Sequence, residues 1–226
     1  MEAFLSGSDF GRKILEFWDW FIVKGDYIVV LEGLKNPLII AVLGLLLGII
    51  VGTLIAVVRI LPKYRVFPRI LDKICSVYVG FFRGTPIVVQ LLLAYYVLLP
   101  LMGLNFPAVS VCVVVFGLNS GAYVSEIIRG GIMSIDQGQM EAGRSLGFGY
   151  VRTMIYIILP QAAKSALPAM CNEFISLIKE TSVASFVTTV DIYKAFNSIA
   201  NHSYEYIVPY LAMAIVYIIL VAVITL

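Results

Sequence analysis

Apolar residues run through this chain in long unbroken stretches, not in the alternation of a half-buried strand. Leu38 to Leu61 carries no charge before Arg59. A second stretch runs from about Ile74 to Leu99 and is interrupted by Arg83-Gly84-Thr85-Pro86. A third covers Ala108 to Ile128, and a fourth covers Met154 to about Phe186, with breaks expected at Pro160 and Pro168. The last runs from Ile207 to Leu226. Each approaches or exceeds the ~20 residues that an α-helix needs to cross the hydrocarbon of a bilayer. The pattern predicts an all-α integral membrane protein with five transmembrane helices. Phe10 to Val23 reads differently, because Phe10, Ile14, Phe17, Trp18 and Phe21 fall near helical spacing. That stretch is expected to lie along the membrane surface as an amphipathic helix, ended by Lys24-Gly25-Asp26. Residues 1–27 thus form a predicted extracytoplasmic, interfacial segment, and residues 28–226 the transmembrane domain. No basic start leads into an apolar run and a cleavage site, so no cleavable signal is expected. Gly44, Gly48 and Gly52 recur every four residues in the first span, a spacing that lets another helix come close.

Composition agrees. Of 226 residues, 61% are hydrophobic and 13% charged, where a soluble domain has roughly 45–50% and about 25%. Too little polar surface remains to cover a water-soluble globule. A net charge of +2 leaves no electrostatic footprint for nucleic acid. Five spans and short loops use up the chain, so any energy source or soluble receptor must be supplied by other chains. Cys75, Cys112 and Cys171 stand far apart in apolar segments and suggest helix packing, with neither a disulfide framework nor a metal site. Arg59, Lys63, Arg65, Arg69 and Lys73 cluster between spans one and two against the single acid Asp72. That excess predicts a cytoplasmic loop, and the alternation then places the N-terminus outside and the C-terminus in the cytoplasm.

The polar stretch from Arg129 to Arg152 is long for a passive connection between membrane helices. Asp136 ahead of it and Gly147 and Gly149 behind it predict a short helix at about 136–148, with a sharp turn at its end. Small residues follow Glu141, so another surface can approach closely, which suits docking in the groove of a soluble partner. Glu141-Ala142-Gly143-x3-Gly147-x9-Ile157-x-Leu159-Pro160 resembles the E-A-A-x3-G-x9-I-x-L-P motif of bacterial ABC importer permeases. Gly143 departs from it, standing where that motif usually has alanine. Phe81-Phe82-Arg83-Gly84-Thr85-Pro86, Ala122-Tyr123-x2-Glu126-x2-Arg129-Gly130-Gly131-Ile132 and Leu167-Pro168-Ala169-x2-Asn172-Glu173 resemble the polar amino acid uptake subfamily. The resemblance covers residues 28–226 and leaves out the first 25.

The resemblance implies the type I ABC importer (MetI-like) fold in a bacterial inner membrane. It implies a second permease subunit, identical or a sister chain, and ATPase subunits that each receive a coupling helix. It also implies an extracytoplasmic binding protein that delivers an amino acid. Glu141, Ala142, Gly143, Ser145, Leu146 and Gly147 would carry the coupling. No G-x4-G-K-[ST] motif occurs, so ATP and its Mg²⁺ belong on the partner, no cofactor is expected on this chain, and the chain is not expected to be an enzyme.

Ionisable residues at membrane depth cost about 2.5–3.5 kcal/mol each on insertion scales and usually face an interior. Glu173, with Asn172, Ser176 and Lys179 at helical distance, is a candidate for a substrate's ammonium or basic side chain. The alternative is an internal pair with Lys179 or an arginine of another span. Glu180, followed by Thr181-Ser182, suits a polar lining or gate, or else a solvated helix end. Arg83 is a candidate partner for a substrate carboxylate, or for a carboxylate of a neighbouring helix. Asn119 is a further pore candidate. Glu126 and Arg129, three apart, read as an intrahelical pair. His202 reads as a solvated loop histidine, and Tyr204, Tyr206, Tyr210 and Tyr217 as an interfacial belt.

The reading that results is an ATP-driven amino acid importer subunit working by alternating access, with a lean toward basic amino acids from Glu173 and Glu180. An ion-coupled secondary transporter is the alternative, but it should show an inverted repeat that five spans cannot supply. A membrane enzyme would need a catalytic cluster such as His-Glu-x-x-His, and there is one histidine.

Overall fold

The computed structural model describes residues 9–61 and 66–225. Lys63 and Arg65, on which the orientation partly rests, lie outside the described residues. So do Leu226 and the start of the N-terminal segment. Among the described residues the chain is helical with no strand.

Helix α1 (Asp9–Trp18) continues as a π-helical turn over Asp19–Val23 and stops at Gly25, whose φ of +85° an L side chain would resist. Helix α2 (Tyr27–Ile60) begins eleven residues before the apolar run that announced it, because it passes straight through Pro37. Helix α3 (Val66–Gly84) places Arg69 and Lys73 on a helix instead of in a loop. It is followed by α4 (Ile87–Leu101) at an angle of 104°. The interruption read in span two is therefore a full break. Helix α5 (Ala108–Met133) is the third span, and α6 (Gln137–Ser145) is the predicted helix of the polar stretch. Helix α7 (Tyr150–Val187) is one 38-residue element. Pro160 and Pro168 do not break it. A π-helical segment, Met154–Ile158, absorbs the missing N–H of Pro160, and Pro168 sits inside a continuous helix. The polar stretch 191–206 between spans four and five reads as an outer loop, but it folds as helix α8 (Ile192–Ser203). Helix α9 (Ile207–Thr225) ends the described chain. By length and composition, α2, α5, α7 and α9 can each cross a membrane, and the bent α3–α4 pair makes a fifth when its two helices are counted as one span.

Two features hold these helices together. The first is a seam between α2 and α5. Gly44, Gly48 and Gly52 of α2 lie against Phe116, Ser120 and Val124, while Gly117 and Gly121 of α5 receive Leu47 and Val51 in return. A methyl group added at Gly52 would sit 2.7 Å from the Val124 Cβ and 2.8 Å from the Gly121 carbonyl oxygen. The second is the inward face of α8. Ile192, Ala195, Phe196 and Ile199 pack with Val30 of α2, Phe17 and Trp20 of the N-terminal helix, and Val216 and Tyr217 of α9. Asp191 caps α8 by accepting from the Lys194 N–H at 2.8 Å and is fully buried.

This packing revises two readings. His202 stays exposed, as read, but it stands in the last turn of α8 and stacks on Trp20 with ring centroids 5.5 Å apart, instead of lying in a loop. Beside it, Lys13 pairs with Glu205 at 3.2 Å, so α1 is tied to the α8–α9 connection. Tyr204 is exposed, and Tyr206 and Tyr210 donate to Asn201 and Asn197. The Tyr217 hydroxyl is buried, however, so Tyr217 does not belong to a surface belt.

Gly52→Ala is expected to overpack the α2–α5 seam and to destabilise the purified protein by about 1–3 kcal/mol. Thermal unfolding in detergent measures it against Gly80→Ala, whose added carbon meets nothing within 4 Å. Equal midpoints for the two variants would show that the seam has room to spare.

Candidate functional site

Three polar clusters lie at different points along the spans. The first is the break between α3 and α4. Pro86 has no N–H to give and disfavours helical backbone at Thr85, so the chain turns there and leaves carbonyls without helical partners. Side chains take them up. Thr85 Oγ1 donates to the Phe81 carbonyl at 2.8 Å. Gln90 Nε2 donates to the Phe82 carbonyl at 2.9 Å and to both oxygens of Thr85, at 3.0 and 2.8 Å. Asn119 of α5 donates to the Phe82 carbonyl and to Gln90 Oε1, each at 3.0 Å. The amide donors of Asn119 are thus committed to holding the break. Gln90, buried at 7% exposure, went unnoticed in the sequence, although a lone glutamine beside a proline break in an apolar run is its signal.

The break opens a cleft of about 380 Å³ lined by Arg83, Thr85, Asn119, Tyr123 and Glu180. Three of the six candidate substrate residues, Arg83, Asn119 and Glu180, therefore meet in one place. The Arg83 guanidinium lies 5.2 Å from the centre of the Tyr123 ring, and no carboxylate stands within ion-pair distance of it among the described residues. The expected pairing with a neighbouring acid is replaced by a cation–π contact. Glu173, one helical face with Ser176 and Glu180, lies within electrostatic reach of Arg83 and Glu180 and close to Ser120. Neither Lys179 nor an arginine forms an ion pair with Glu173 among the described residues. Asn172 is exposed and Ser176 half-buried, and neither lines the cleft.

The second cluster ties three spans at one end. Glu126 accepts from Arg129 of its own helix, at 2.6 Å from Nη2 and 3.0 Å from Nε, and its other oxygen accepts from Arg59 of α2. Arg59 also lies 3.8 Å from Asp72 of α3. The intrahelical pair read from the spacing is present. The interhelical partner was not legible, because Arg59 is 67 residues away.

The third cluster is α6. Asp136 caps it by accepting from the Gly138 N–H at 2.6 Å. At its other end Gly147 takes a φ of +85° and the Phe148 N–H closes on the Gly143 carbonyl at 3.1 Å. Of the six candidate coupling residues, Glu141, Ala142, Ser145, Leu146 and Gly147 are exposed, Leu146 at 76%. Gly143 is buried and faces this chain's own Thr153.

A bundle of apolar spans with one broken helix, and a capped helix standing outside it with an exposed leucine at its tip, defines a membrane translocation subunit. Residues 44–226 match the family described as binding-protein-dependent transport system inner membrane component, and the chain belongs to that family. It is a multi-pass inner-membrane permease of an ABC importer and not an enzyme, ATP being hydrolysed on a separate subunit. The ion-coupled alternative is set aside by this membership. The chain is 38% identical over 196 residues to the arginine transport system permease protein ArtQ of Bacillus subtilis, covering 87% of each. It is 36% identical to a putative glutamine transport system permease protein of Rickettsia bellii, covering 87% of this chain and 88% of that one. Among solved structures it resembles an amino acid ABC transporter crystallised with histidines, at 36% identity, with a TM-score of 0.81 over 88% of this chain and 90% of the other. The inward-facing MetNI methionine ABC transporter shares the fold, with a TM-score of 0.71 over 87% of this chain and 91% of that one, at 16% identity. The type I, MetI-like fold expected from the sequence is the fold observed.

Glu126→Gln keeps the shape but leaves Arg59 and Arg129 facing a neutral amide. Because Glu126 and Arg59 are each about five-sixths buried, the change is expected to cost about 1–3 kcal/mol. The thermal midpoint of the detergent-purified chain should fall. An unchanged midpoint would mean that the cluster is well solvated.

Proposed function

We propose that this chain carries polar amino acids, with a preference for cationic ones, through a pathway lined at the α3–α4 break. The observation that supports this reading is the pairing of opposite charges in one cleft. Arg83 has no ion-pair carboxylate among the described residues and shares the cleft with Glu180, while Glu173, on the same face of α7, lies outside the lining but within electrostatic reach of both. A zwitterion offers a carboxylate to the first and an ammonium to the second. A basic side chain would engage the remaining acid by charge-assisted hydrogen bonds. The buried Ser120 hydroxyl lies beside Glu173 and adds a polar group to this face. The names of two similar permeases, for arginine and for glutamine transport, agree with a polar amino acid.

In the same proposal, α6 is the coupling helix. Glu141, Ala142, Ser145 and Leu146 present its outer face to a soluble ATPase, where ATP and Mg²⁺ bind. A second permease subunit completes the pathway, and an extracytoplasmic binding protein loads it. The N-terminus and α1 lie outside, at the membrane surface, and α6 and the C-terminus face the cytoplasm. ATP-driven closure of the ATPases moves α6, the spans tilt outward, and hydrolysis returns them to release substrate inward.

Uptake of labelled arginine by proteoliposomes holding the assembled transporter tests the pathway. Glu173→Gln is expected to lower uptake about ten-fold or more, with the ATPase still co-purifying. Loss of assembly would instead make Glu173 a structural residue, and arginine uptake that needs no ATP would overturn the mechanism. Leu146→Asp places a charge at the tip of α6 and is expected to abolish co-purification of the ATPase. A retained ATPase would place the docking surface elsewhere.

A further inference from the structure

Gly143 sits in the last turn of the proposed coupling helix, yet it is buried while its neighbours are exposed. A Cβ built on it would stand 2.5 Å from the Thr153 Cγ2, 2.9 Å from Thr153 Oγ1 and 3.2 Å from Ile157 Cδ1. All three atoms belong to this chain. Thr153 is fully buried, and its hydroxyl is turned to the Gly149 carbonyl at 3.2 Å. As a β-branched residue in a helix it has few other rotamers to retreat to. Thr153 is the last residue before the π-helical segment Met154–Ile158. About two turns beyond Thr153 along α7, Gln161 donates to the Ile157 carbonyl at 2.8 Å and reaches Gln139 of α6 at 3.4 Å. The helix that carries Glu141 is therefore mounted, at zero clearance, on the segment that carries Ile157, Leu159 and Pro160.

We infer that Gly143 is a positioning residue. It does not meet the ATPase; it is the seat by which α6 is fixed to α7, and a clash between side chains at 143 and 153 would unseat α6 and weaken the hand-over of its motion to the span. This rests on the proposal that α6 receives the ATPase. It also accounts for glycine where the resembling motif has alanine: with Thr153 beneath it, the seat has no room for a methyl group. A smaller residue at 153 would make that room. Serine removes the Cγ2 that lies nearest and, without β-branching, lets its hydroxyl rotate away.

The test is a swap within this one chain, read in the reconstituted transporter as amino acid transported per ATP hydrolysed. Gly143→Ala is expected to lower that ratio about ten-fold, with the ATPase still bound. Thr153→Ser alone should change it little, and Gly143→Ala with Thr153→Ser should restore most of it. Wild-type coupling in Gly143→Ala would overturn the inference. So would a double variant no better than the single one, including the case in which both fail to assemble, because a contact with the ATPase cannot be relieved by trimming a residue buried inside the permease. If Gly143→Ala misfolds and the double variant folds and transports, the seat is supported. Leu146→Asp in the same assay separates the two levels. ATPase retained on that variant fails the reading of α6, whereas failed rescue at 143 and 153 fails the seat.

Discussion

A backbone N–H or C=O surrounded by hydrocarbon must find its partner inside the protein, and most of this architecture follows from that. Long helices meet the requirement by themselves. Any departure from a helix then needs side chains to complete it. The 104° turn between α3 and α4 is such a departure, and Thr85, Gln90 and Asn119 supply the missing partners. Their donors consumed, these residues become the frame of the cleft, and the charges beside them, Arg83 and Glu180, are left to face its space. The same demand is met differently at Pro160, where a π-helical segment widens the helix locally and α7 continues without a break.

The spans can support such a break because the rest of the bundle is closely packed. Between apolar helices in lipid, association depends on van der Waals fit, and small residues let backbones approach. The glycines of α2 and α5 interleave along a common seam, and the Arg59–Glu126–Arg129 cluster closes one end of it. The structure thus has a closely packed central pair, α2 and α5. The broken α3–α4 span and the long α7 lie against it. Because α7 carries Glu173 and Glu180 along its length and the mounting of α6 at its start, one continuous element joins the candidate pathway to the candidate coupling surface.

Much of this was legible in the sequence. The five apolar runs, the interruption at Gly84-Thr85-Pro86, the amphipathic start and the capped helix behind Asp136 all rest on local chemistry, and all are present. Where the sequence misled, the cause was tertiary. Polar residues at 191–206 suggested a loop, but Ile192, Phe196 and Ile199 share a face that finds Trp20 and Val30 to bury against. Two prolines suggested breaks in a helix whose geometry could absorb them. His202 appeared free because nothing near it in sequence shows the Trp20 ring.

Membrane residence, the number of possible crossings and the place of the exposed helix are all local properties, because hydropathy, caps and proline act within a few residues. Which polar groups remain available is settled by packing between distant segments. Asn119 and Gln90 are spent on the α3–α4 break, Glu126 is claimed by an arginine 67 residues away, and Gly143 is turned onto Thr153 and away from solvent. A side chain's chemistry is fixed by its type, but its availability depends on which distant atoms reach it first, and that is settled when the helices pack.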